Sequence, residues 1–82
     1  MNYTILGIYL KNRNANANEI QKLLTEYGCH IKTRLGLHSV DSSTCSPNGL
    51  ILLELFGDPS KLQSLEDSLK KIQGVEVQKM AF

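Results

Sequence analysis

The sequence predicts an α+β sandwich: one four-stranded antiparallel sheet with two helices packed on one face. Three observations carry this. Hydrophobic patterning switches between period 2 and period 3.6 in the order β-α-β-β-α-β. Two of the four strand segments are apolar on both alternating faces and two on one face only. Each helical segment is bounded by capping or helix-stopping residues. Two right-handed βαβ crossovers close such an order as the ferredoxin-like sandwich, whose first and third strands are central. The doubly apolar segments are indeed the first and third.

Tyr3 to Leu10 is rich in β-branched and aromatic residues and is interrupted only by Thr4 and Gly7, as an interior strand should be. Lys11 to Asn16 holds three asparagines, which favour turns and caps, so a loop is expected there. From Ala17, the residues Ile20, Leu23, Leu24 and Tyr27 form one helical stripe. Asn16 with Glu19 gives it a capping-box start, and Gly28 a left-handed stop. Ile31 to Leu37 alternates, with Ile31, Thr33, Leu35 and Leu37 on one side, and reads as an edge strand. Ser39 to Asn48 is polar and contains Pro47, so it reads as a connecting loop. Leu50 to Phe56 is the second doubly apolar strand, broken only by Glu54. Asp58 as N-cap and Pro59 at the first helical position open a helix whose stripe is Leu62, Leu65, Leu69 and Ile72. Gly74 ends it, and Val75 to Met80 alternates as a final half-exposed strand.

Eighty-two residues are enough for one domain, spanning 1–82, with a single modest core. Nine basic against eight acidic side chains point to no strongly anionic partner. The longest apolar run, Leu50 to Leu53, is far below the ~20 residues of a membrane helix. Met1 to Thr4 lacks the features of a signal peptide, so a cytoplasmic location is expected. Cys29 and Cys45 have no Cys-x-x-Cys spacing and are expected as free thiols.

With both helices on one face, the other face of the sheet should meet water. It nevertheless carries Leu50, Leu52 and Phe56, together with either Tyr3, Ile5 and Tyr9 or Leu6, Ile8 and Leu10. Burying each such side chain contributes ~1.5–3 kcal/mol, so leaving five or six wet forgoes a sum on the order of the net stability of a small domain. Contiguous apolar patches usually mark an interface. A homodimer or larger homo-oligomer is therefore expected, through the open face, an edge strand or both; the alternative is a monomer with an apolar face.

Chemistry-bearing motifs are few. No Gly-x-Ser-x-Gly, paired-carboxylate or phosphate-loop pattern occurs, so no catalytic residue is assigned and no enzyme is expected. Arg13 follows the first strand, but the glycines that would let backbone amides wrap a phosphate are missing. An RNA-recognition motif would place stacking aromatics and basic residues on the central strands; the third strand offers one aromatic at its end, so direct nucleic-acid binding is not expected. Cys29, His30, His38 and Cys45 lie close in sequence without the spacing of a zinc site, and no metal or other cofactor is assigned. What remains is small-molecule sensing. The loop before the first helix meets that helix's N-terminal amides, which suit a carboxylate, and Arg34 and His38 share one side of the second strand. Arg13, Asn14, Asn16, Arg34 and His38 are thus the candidate ligand-binding residues. A metal or redox sensor built on His38 and Cys45, or a ligand-free assembly scaffold, is the alternative.

The strand order resembles that of the ACT domain. Three segments, Ile31 to Leu37, Gly49 to Leu55 followed by Gly57-Asp58, and Leu69 to Val77, resemble the small stand-alone ACT-like proteins described as iron-only hydrogenase system regulators. The resemblance covers nearly the whole chain and implies a regulatory or sensor module that assembles side by side in service of a hydrogenase system. Amino-acid-binding ACT domains usually carry a glycine near the end of the first loop, where this chain has Asn14, Ala15 and Asn16.

Overall fold

The computed structural model describes the backbone of residues 3–40 and 45–82 and, within these, the side chains of all but residues 13, 14, 37–40 and 45–48. The elements are β1 (Thr4–Leu10), α1 (Arg13–Glu26), a 3-10 turn (Gly28–His30), β2 (Ile31–Val40), β3 (Cys45–Leu55), α2 (Pro59–Lys70) and β4 (Val75–Ala81). The strands form one antiparallel sheet in the order β2-β3-β1-β4, so the two doubly apolar segments are central and the two alternating ones form the edges. This is the ferredoxin-like, ACT-like βαββαβ sandwich expected from the sequence. Among the described residues, no helix is long and apolar enough to cross a membrane.

One side of the sheet builds the core. Leu6, Ile8 and Leu10 of β1 and Leu53 and Leu55 of β3 are buried against Ile20 and Leu24 of α1 and against Leu65 and Leu69 of α2, with Ile72 just beyond it. Asp58 caps α2 as expected: its carboxylate accepts from the Ser60 N–H and hydroxyl, both at 2.9 Å, and Pro59 occupies the first turn. Gly74 takes φ +85° after the helix, where a side chain would be strained.

Four local expectations are corrected. Helix α1 begins at Arg13 rather than Ala17, because Asn12, not Asn16, organises its start. The Asn12 side-chain oxygen accepts from the Ala15 N–H at 3.3 Å, and its carbonyl accepts from the N–H groups of Ala15 and Asn16. Asn16 is instead buried within the first turns, close to Gly74. Gly28 is not left-handed; among the described residues only Gly57 and Gly74 have positive φ, and α1 runs out through the 3-10 turn, where the His30 N–H donates to the Tyr27 carbonyl. Of the polar stretch expected as a loop, residues 39–40 and 45–48 are strand, with Val40 paired to Cys45 and the preceding His38 to Gly49, while residues 41–44 lie outside the described residues. Pro47 is tolerated there because β1 ends opposite Gly49, which leaves the outer part of β3 paired with β2 alone. Finally, β2 carries a register shift between Ile31 and Thr33. The extra residue, Lys32, sends Ile31 to the core and turns Thr33 and Leu35 to the opposite face, so the four alternating residues do not share one side.

Candidate functional site

The open face of the sheet follows from register. Leu35, Leu52, Gly7 and Gln78 form one row across the four strands, and Thr33, Glu54, Ile5 and Met80 form the next. Beyond them, Tyr3 and Phe82 exchange backbone hydrogen bonds of 3.1 and 2.8 Å, extending the pairing of β1 with β4 by one residue. Of the two apolar sets of β1, the one left on this face is therefore Tyr3, Ile5 and Tyr9. The exposed large hydrophobic side chains among the described residues are Tyr3, Leu35, Phe56, Met80 and Phe82, each 45–72% exposed; register puts Tyr3, Leu35, Met80 and Phe82 on this face, and Phe56 follows directly after the end of β3.

Two polar features punctuate it. Glu54 stands on central β3, where the Thr33 hydroxyl donates to Oε1 at 3.2 Å and Lys32 Nζ lies 3.9 Å from Oε2. The register shift puts these partners on neighbouring β2, so the acid is held by its own chain. Gly7 leaves a shallow recess of about 200 Å³, rimmed by Tyr9, Leu50, Glu76 and Gln78.

The residues predicted to bind a ligand are only partly brought together. Arg13 and Asn14 form the first turn of α1, directly after the end of β1 at Leu10. Leu10 pairs with Gly49, and Gly49 with His38, which places the His38 backbone at the same end of the sheet, about 10 Å across two strand spacings. Asn16 lies one turn further and is buried. Arg34 pairs with Leu53 and is exposed, four residues or about 13 Å back along β2 from His38. Cys45, opposite Val40, sits on the outer part of the same two-stranded ribbon as His38.

Cys29 is an exposed free thiol. His30 is half-buried, with Nδ1 3.3 Å from the Phe56 carbonyl, while the Phe56 N–H donates to the His30 carbonyl at 2.9 Å. Hydrogen bonds from the Ser60 N–H and hydroxyl hold the Asp58 carboxyl below its ordinary pKa, with Lys61 and His30 adding positive potential. Among the described residues, no three His, Cys, Asp or Glu side chains gather as a metal site would require.

Glu66 belongs to no motif visible in the sequence. Its side chain is buried between α2 and β4, where Lys70 Nζ reaches Oε2 at 2.7 Å and Lys79 Nζ reaches Oε1 at 3.4 Å. The hydrogen bond from Lys70, with Lys79 behind it, outweighs burial and lowers the Glu66 pKa; the same bond raises that of Lys70. A cavity of about 160 Å³ beside this pair is lined by Thr4, Leu62, Gln63 and Lys79 among others. The spacing of Glu66 and Lys70 along the helix was visible in the sequence. Their link to Lys79 depends on β4 docking beside α2.

No protein-family model matches the chain, and no curated protein matches it. Among solved structures, it is similar to an uncharacterised protein from Thermotoga maritima, with 24% identity, a TM-score of 0.83, and coverage of 100% of this chain and 99% of that one. It is also similar to the ACT domain from GTP pyrophosphokinase of Chlorobium tepidum, with 21% identity, a TM-score of 0.70, and coverage of 95% and 96%. A third is CPII from Thiomonas intermedia K12, a nitrogen regulatory PII-like protein, with 12% identity, a TM-score of 0.70, and coverage of 100% and 90%. What is shared at these identities is the ACT-like, ferredoxin-like fold.

Proposed function

We propose that this chain is a non-enzymatic regulatory or sensor module that works as a homodimer or higher homo-oligomer and takes a small ligand where the start of α1 meets a neighbouring copy. The observation that carries the assembly is the concentration of exposed large hydrophobic side chains on the open face of the sheet, while the ligand reading rests on Arg13, Asn14 and His38 standing at one end of the sheet. The ACT domain of a GTP pyrophosphokinase and a PII-like protein described as nitrogen regulatory and bound to ADP, AMP and bicarbonate share this fold, which supports a regulatory role. The resemblance of Ile31 to Leu37 and Leu69 to Val77 to iron-only hydrogenase system regulators supports service to such a system. Arg13, Asn14 and His38, at one end of the sheet, are the first residues to examine for the ligand, with Asn16 and Arg34 behind them.

A thermal-shift panel of amino acids, nucleotides and divalent metals, read beside light scattering, tests the reading. An oligomer that gains stability with an amino acid or nucleotide, and loses that gain in Arg13→Ala or His38→Ala, is the expected outcome. An oligomer indifferent to the whole panel would leave a scaffold instead. Because His38 and Cys45 stand on one ribbon, a metal sensor is the second reading; metal-induced shifts unchanged in His38→Ala and Cys45→Ala would remove it.

A further inference from the structure

Gly7 is a glycine in the middle of a central strand that its own chain does not require. Its φ is not in the left-handed region, and a Cβ placed on it would meet the Leu52 Cδ2 at 3.7 Å and the Gln78 carbonyl at 3.9 Å, which are ordinary contacts. A strand-interior glycine gives up packing and backbone restriction, and where local geometry does not demand it, it commonly marks a close approach from outside. Here the approach is to the open face, where the missing side chain makes the recess between Tyr9, Leu50, Glu76 and Gln78, with Glu76 exposed at its rim.

From this, and resting on the reading that copies assemble, we infer that the open faces of two copies pack against each other and that the Gly7 recess receives an apolar side chain from the other copy. Size favours a folded partner over a small molecule. The recess is smaller than the ~300 Å³ at which ligand pockets begin. Four strands ~4.8 Å apart and seven residues long span roughly 450 Å² in projection. Side-chain relief brings this toward the lower part of the ~600–1,000 Å² per partner that stable pairs bury. Composition favours a second copy. Glu54 is already held by Thr33 and Lys32, so the centre of the face offers little net field to a charged partner. The face also carries both halves of a contact: Leu35, half exposed, stands in the same row as the recess, two strands away. A two-fold pair matches a surface to itself and needs such a combination of projection and hollow.

Sedimentation of the full chain with Gly7→Ala, Gly7→Val, Gly36→Ala and Leu35→Lys tests this, with circular dichroism confirming the fold of each. Gly36 is the control, because a Cβ there meets nothing within 4 Å. The Gly7 variants should raise the dimer dissociation constant at least tenfold, with valine above alanine; Leu35→Lys should dissociate the pair and Gly36→Ala should match the wild type. Should valine prevent folding, the alanine variant alone decides. Gly7 variants that pair like the wild type while Leu35→Lys dissociates would overturn the recess and leave assembly through this face standing. Pairing retained in Leu35→Lys, or a wild type that is monomeric throughout, would overturn both.

Discussion

Gly57 holds φ at +103°, and a Cβ there would come within 2.7 Å of the His30 Nδ1. Two penalties coincide, left-handed backbone and collision with a ring held by the Phe56 carbonyl. Gly57→Ala should therefore lower stability by about 2 kcal/mol or more in urea titration. Gly28→Ala, with ordinary φ and open space, should stay within about 1 kcal/mol of the wild type. Glu66 gives the pH-dependent counterpart. Its folded pKa lies below the ordinary 4.5, so its stabilisation is fully present above 4.5 and is lost as pH falls through the lower folded value. Glu66→Gln should thus cost about 1–3 kcal/mol at neutral pH, with the difference from wild type shrinking in acid urea titrations. A difference that grows in acid would contradict the assignment. The sequence marks His30 only as a metal-ligand type and does not mark Glu66, because the contact of His30 with Phe56 and that of Glu66 with Lys79 each join segments a dozen or more positions apart.

At the scale of elements, period and punctuation in the sequence foretold most of the architecture. Asp58-Pro59 and Gly74 bound α2 as their chemistry requires. The misreadings share one cause: local propensity was overridden by a neighbour. The asparagine-rich segment reads as loop in isolation, yet Asn12 alone is enough to cap, and the residues after it join the helix. Pro47 reads as a strand breaker, yet on a two-stranded ribbon beyond β1 it has only one neighbour to satisfy. The inserted Lys32 reverses the facing of β2 and delivers Leu35 to the open side, which strict alternation could not foresee. The candidate ligand residues were legible only as types. Register then gathers Arg13, Asn14 and His38 at one end and leaves Arg34 apart.

For the whole molecule, the same alternation that fills the core leaves a second apolar layer uncovered. Two faces of β1 and β3 are hydrophobic, and the two helices can cover one. This was legible in the sequence because it depends on composition and topology alone; the recess at Gly7 was not, because it depends on which of the two β1 sets turns outward. If another copy supplies the missing cover, a charge placed in the patch should separate the subunits without unfolding them. Sedimentation equilibrium of the wild type beside Met80→Lys is the direct measurement, since Met80 is half exposed and stands on the face opposite the core. The account predicts a wild-type mass at least twice the 9.2 kDa of one chain, falling to 9.2 kDa in the variant. A wild type that stays at 9.2 kDa at every concentration would contradict it.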